Sequence, residues 1–293
     1  MDEQGPITTW LEYVRAFDRV YMIAKNAGQV AFSGKPGTVS PGTLLFSPHP
    51  DDEIMTGGLA FRLLRESGLR TVNLAVTYGS DQKRKKERKE ELASACAFVG
   101  FETLPASEPL AFDGVNPDAL QNRIGREEKI ETLVRILDQQ KPALVTFPHN
   151  DDLHPTHVGT HLLANEAVTR WSREQGQTVF VARTECWHPM KDPNLLLELS
   201  SIDVSLLITA LTLHAGEVAR NPYHLRYPAR LMNNVWRGSE LIEGLGKPAS
   251  AIMFGELYRL DLLENGKICK PRQSMTISKN QKVSIDLLRG FFG

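Results

Sequence analysis

Two short apolar runs, each closed by Pro-His, constrain the fold of this chain more than any other feature. Residues 43–49 read TLLFSPH and residues 142–149 read PALVTFPH. An apolar run of this length that stops at proline reads as a buried strand ending in a loop. Helical patterns separate the two. Residues 54–68 (IMTGGLAFRLLRESG) form one, with Gly68 as its stop, and residues 81–100 form another, closing at Gly100. Residues 125–140 give a third helix. Residues 69–80 (LRTVNLAVTYGS), rich in β-branched positions, and residues 178–187 (TVFVARTECW) add two strands. Strands alternating with helices imply an α/β, Rossmann-like, doubly wound and mostly parallel sheet with helices on both faces. Such sheets bind ligands beyond the carboxyl ends of their strands, where both Pro-His loops fall.

The outer parts read less sharply. Residues 9–26 carry Trp10, Leu11, Val14, Phe17, Val20 and Tyr21 at helical spacing, and the Gly/Pro/Ser-rich residues 28–42 read as a connection. We therefore expect an N-terminal helical extension and linker over 1–41 and one domain over 42–293. Beyond about residue 190 the pattern loosens; residues 202–220 suggest helix and residues 249–263 a late strand.

The first loop is His49-Pro50-Asp51-Asp52-Glu53. Four ionisable groups in five residues after an apolar strand are mutually costly unless something positive sits among them. A divalent cation would relieve that cost, and imidazole with carboxylate is typical Zn²⁺ ligation in an open catalytic site. Alone, the cluster also reads as an acidic helix start. The second loop, His149 to His157 (HNDDLHPTH), has His161 one helical turn on. Four of the chain's eight histidines fall between His149 and His161, and Pro155 suits the first turn of a helix. Two such clusters at two strand ends point to a metal site.

HPDDE after one apolar strand and HPxH after a later one resemble the LmbE/PIG-L family of de-N-acetylases. The resemblance implies that His49, Asp52 and His157 bind the metal, Zn²⁺ or another divalent ion such as Fe²⁺. It implies Asp51 as general base. His154 would stabilise the oxyanion or protonate the leaving amine. Arg88-Lys89-Glu90-Glu91-Leu92 matches the family's Arg-x-x-Glu-Leu pattern, which makes Arg88 a candidate substrate contact, with a solvated helix face as its alternative. Glu53 and Asp152 are candidate supporting residues around the ligands. One departure stands out: Thr156 occupies the place where the family usually has Asp, so the acidic partner of His154 is missing unless Asp151 or Asp152 substitutes.

The implied activity is zinc-dependent removal of the acetyl group from an N-acetylglucosamine-type sugar, giving acetate and a free amine. The runner-up is a non-catalytic or differently reacting metal-containing sugar-binding protein on the same fold, against which Asp51 argues, because binding alone needs no base. A non-haem Fe(II) oxygenase triad fits poorly with the alternating pattern, and a glycosyltransferase lacks its Gly-rich phosphate loop. With Lys plus Arg at 34 and Asp plus Glu at 35, nothing favours nucleic acid or an anionic membrane as partner. The expected partner is a small N-acetyl sugar or sugar conjugate, and self-association stays open. No apolar stretch of about 18 residues suggests a membrane span. MDEQGPITTW lacks a secretory pattern, so a cytoplasmic location is expected, and the scattered Cys96, Cys186 and Cys269 read as free, buried thiols.

Overall fold

A computed structural model describes residues 6–25, 32–104, 112–246 and 251–293. In chain order the elements are α1 (Pro6–Lys25), β1 (Val39–Ser47), α2 (Asp52–Met55), α3 (Gly58–Ser67), β2 (Leu69–Ala75), α4 (Lys85–Val99), β3 (Glu102–Thr103), α5 (Arg123–Gln140), β4 (Leu144–Pro148) and α6 (Pro155–Glu174). There follow β5 (Thr178–Thr184), β6 (Leu195–Glu198), α7 (Ser201–Thr212), α8 (Ala215–Arg220), α9 (Tyr223–Gly238), β7 (Gly255–Glu264), β8 (Lys267–Cys269), β9 (Met275–Ile277) and α10 (Ile285–Arg289). Asn26, residues 28–31 of the expected connection and residues 249–250 of the expected late strand lie outside the described residues.

The sheet runs β3-β2-β1-β4-β5-β7-β6-β9, with β8 added to β7. The β3-β2-β1-β4-β5 portion is parallel throughout. The strand order reverses between β1 and β4, which is where a doubly wound sheet opens a crevice for ligand. Beyond β5 the sheet is mixed: β7 pairs antiparallel with β5, β6 and β8, and β6 pairs parallel with β9. Alternate residues of the central strands enter opposite cores. Leu45 joins the layer under α3, α4 and α7, whereas Leu44 and Phe46 join the layer under α5 and α6. Helices on both faces bury the sheet on both sides, which is why these strands read as continuous apolar runs.

Gly68 and Gly100 close α3 and α4 in left-handed geometry, as the sequence suggests. Two helical readings are divided. The pattern at 54–68 becomes α2 and α3, separated at Thr56 and Gly57. The amides that open α3 are satisfied from a distant strand: Gly58 N–H donates to Glu256 Oε2 at 2.9 Å and Leu59 N–H to Tyr258 Oη at 3.0 Å. The pattern at 202–220 becomes α7 and α8, parted at Leu213 and His214. In the late region β6, α9, β8, β9 and α10 were not legible as separate elements.

Candidate active site

The carboxyl ends of β1, β4 and β5 meet at one point. β1 delivers His49 and Asp52, β4 leads through the loop to His154 and His157, and β5 leads to Cys186 and Trp187. The Oδ2 atom of Asp52 accepts the His49 N–H at 2.9 Å and lies 3.3 Å from both Nδ1 of His49 and Nε2 of His157. His157 sits in the first turn of α6, which Pro155 opens, and is 1% exposed. The ligand atoms of His49, His154 and His157 lie within 4.8 Å of one another, as do those of Asp52, His157 and Cys186.

The donor set fits a divalent cation. Both ring nitrogens of His157 are buried and neither makes a hydrogen bond, although Asp52 Oδ2 and Asp152 Oδ2 lie 3.3 and 3.4 Å away. A buried imidazole left so, beside a carboxylate that a second imidazole also faces, is the arrangement expected around an ion held by nitrogen and oxygen. Burial opposes charge on His157, yet Asp52 and Asp152 outweigh it and push its pKa up to about 10. Burial likewise opposes the Asp52 carboxylate, but His157 and His49 hold it well below the usual range.

Asp51 differs from its neighbour. Burial, with repulsion from Asp52 and Glu53, raises its pKa well above the ordinary carboxylate value, against the pull of Arg88. Its backbone has φ 115°, a region that costs a non-glycine residue on the order of 1–3 kcal/mol. Asp51 stands at the cap position of α2, yet its side chain makes no capping bond, so the simple helix-start reading fails here. Glu53 is fully buried; its Oε2 accepts the Asp51 N–H at 2.8 Å and its Oε1 meets His214 Nε2 at 2.7 Å. Arg88 is not a solvated helix residue. It lines the cavity, donates from Nη2 to the Pro50 carbonyl at 3.1 Å and lies 3.6 Å from Glu217.

The cavity beside this cluster measures about 840 Å³ and is lined by Asp51, Arg88, His154, Trp187, Glu217 and Tyr223, among others. The Nδ1 atom of His154 accepts the Thr156 N–H at 3.2 Å, so neutral His154 carries its proton on Nε2. Burial, then the charges of His49 and His157, lowers its pKa. Its ring stacks on Trp187 with centroids 5.9 Å apart. Neither acidic neighbour takes the place that Thr156 leaves empty. Asp151 pairs with Lys191 at 3.4 Å, and the Asp152 carboxylate accepts the His154 backbone N–H at 2.8 Å and the Trp187 N–H at 3.2 Å while facing His157.

The remaining histidines sort by their bonds. His161 Nδ1 bonds the Pro148 carbonyl at 2.8 Å and His149 Nε2 the His188 carbonyl at 2.9 Å, so both brace the loop. Trp187, His214, Glu217 and Tyr223 were not read as site residues, and Cys186 was read only as a buried free thiol, whereas Cys186 and Cys269 are both partly exposed. Cys186 reaches Asp52 Oδ1 at 3.6 Å and is only partly buried, unlike Cys96. The position of Glu185-Cys186-Trp187 directly past β5 was the one available signal for Cys186 and Trp187.

The sequence pattern described as "PIG-L: GlcNAc-PI de-N-acetylase" matches residues 44–168. A curated relative, the probable N-acetyl-alpha-D-glucosaminyl L-malate deacetylase 2 of Bacillus cereus, is 26% identical over 148 residues, covering 45% of this chain; the chain spans 63% of that relative's length. Among solved structures, the N,N'-diacetylchitobiose deacetylase of Pyrococcus horikoshii is 17% identical with TM-score 0.56, covering 85% of this chain and 92% of its own. The 4-carboxy-2-hydroxymuconate hydratase of Pseudomonas putida is 18% identical with TM-score 0.55, covering 75% and 95%. These two likenesses establish the shared fold. No helix among the described residues is long and apolar enough to cross a membrane. Residues 44–168, which carry His49, Asp52, His154 and His157 of the cluster but not Cys186, match the PIG-L de-N-acetylase pattern.

Proposed function

We propose that this protein is a metal-dependent hydrolase that removes the acetyl group from an N-acetylated, glucosamine-type sugar. One observation carries the reading: Asp51, buried and free of capping duty, stands in the cavity wall beside the His49, Asp52 and His157 cluster. The fold alone does not select the reaction, since a hydratase shares it. The family, and the deacetylase named in the Bacillus cereus relative, favour amide hydrolysis. Zn²⁺ suits the proposed ligands His49, Asp52 and His157, and another divalent ion such as Fe²⁺ suits the same donors.

A divalent ion bound there supplies Lewis acidity, acidifying a water molecule and drawing charge from the acetyl carbonyl. Asp51 takes a proton from the attacking water as its oxygen bonds to the carbonyl carbon. Nε2–H of His154 donates to the carbonyl oxygen as charge builds there. With its pKa lowered, His154 does this as a neutral donor, which needs no acidic partner at position 156. The C–N bond then breaks, the nitrogen receives the proton held by Asp51, and acetate and a free amine leave. Trp187 and Tyr223, with rings 6.1 Å apart, give the cavity an apolar wall for the sugar, and about 840 Å³ leaves room for a conjugate beyond one ring.

Acetate release from a panel of N-acetylglucosamine conjugates, with and without a chelator, tests this. The expected result is release from at least one conjugate, abolished by chelation and restored by Zn²⁺ or Fe²⁺. Release that survives complete metal removal, or none from any conjugate by metal-loaded protein, would overturn it.

A further inference from the structure

The peptide unit between Pro50 and Asp51 is gripped at both ends. Its carbonyl accepts Arg88 Nη2 at 3.1 Å, and its N–H donates to Glu53 Oε2 at 2.8 Å. Both gripping side chains are held in turn from the start of α8. His214, the residue before α8, meets the second Glu53 oxygen at 2.7 Å. Glu217, in its first turn, lies 3.6 Å from Nε of Arg88 and accepts Arg84 Nη1 at 2.8 Å. The set is shielded from water: Glu53 and His214 side chains are 0% exposed, Glu217 3% and Arg88 11%. Immediately after this peptide comes Asp51 at φ 115°. An ordinary cap residue takes extended backbone and turns its oxygen onto the helix amides; Asp51 does neither.

A buried His–Glu pair costs desolvation unless its polar atoms are satisfied. Here Glu53 has one oxygen on His214 and the other on the Asp51 amide, so the pair is tied to the backbone of Asp51 itself. We propose that His214 and Glu217, acting through Glu53 and Arg88, clamp the Pro50–Asp51 peptide and impose the Asp51 conformation that aims its carboxylate into the cavity. All four are positioning residues, and Arg88 serves the loop as well as the cavity wall. The inference rests on the reading of Asp51 as the base.

Three variants of the metal-loaded protein test it. His214→Ala removes the hold on Glu53, and His214→Asn, too short to reach Glu53, is the gentler version should alanine fail to fold. Misplacing a reacting group by about 1 Å costs on the order of 100-fold, so both should lower kcat by roughly 10–100-fold, with KM and metal content unchanged. His214→Gln carries an amide that can donate to Glu53 Oε1 and should recover most of that loss. A crystal structure of His214→Ala or His214→Asn should show the Asp51 φ returned to negative values. Wild-type kcat in the variant, or a lowered kcat with Asp51 still near its present φ, would overturn the clamp. If the wild-type protein deacetylates no sugar, the deacetylase reading fails, while the Asp51 backbone in the variant crystal still decides the clamp.

Discussion

Asp152 Oδ2 lies 3.4 Å from His157 Nδ1, on the side of the ring opposite the nitrogen that faces Asp52. Its other oxygen accepts the His154 backbone N–H, so one buried carboxylate ties the metal-side histidine to the start of α6. A carboxylate behind a ligating imidazole orients the ring and strengthens it as a donor. Asp152→Asn should therefore weaken metal affinity by about 10–100-fold, while kcat at saturating metal falls much less. Competition against a chromophoric chelator measures the affinity; equal affinity in both proteins would reject this role.

Asp51→Asn should retain metal and lose about 10²–10⁴-fold in kcat, since an amide cannot take the proton from water. Metal content and steady-state rates on the same preparation check this. Turnover within threefold of wild type would remove Asp51 from the chemistry.

His154 is expected to act as a neutral Nε2–H donor, because its Nδ1 is committed to the Thr156 amide. Loss of one such donor costs about 10²–10³-fold in kcat, as expected for His154→Ala. His154→Gln, whose amide can also donate, should recover part of that loss. Equal damage from both substitutions would show instead that a titrating acid is needed at this position.

His161 gives a pH-dependent contribution to stability. Burial, against the Pro148 carbonyl bond, lowers its pKa to about 4, compared with an ordinary value of 6.5. Between those values the unfolded chain binds a proton that the folded chain refuses, so stability is lost as pH falls from 6.5 towards 4 and is fully present above 6.5. His161→Gln should flatten this part of the Tm–pH curve. Parallel curves for the two proteins would contradict the assignment.

The sequence alone determined the parallel half of the sheet and the two loops that meet on it. It did so because those strands are buried on both faces and read as unbroken apolar runs, and because Pro-His closes each of them. The same signals marked the two loops that carry His49, Asp52 and His157; the choice of these three as a set came from the resemblance to the LmbE/PIG-L family, and the fold brings Asp52 Oδ2 to 3.3 Å from both imidazoles. Tertiary structure alone decided the rest. Nothing local marks His214 as the partner of Glu53, 161 residues earlier, or Cys186 as a neighbour of Asp52, 134 residues earlier. Hydropathy does not report that the amides opening α3 are capped from β7, so the break at Thr56 was hidden. The direction of Asp51 was equally invisible, since a backbone at φ 115° is held by surrounding contacts against its own local preference.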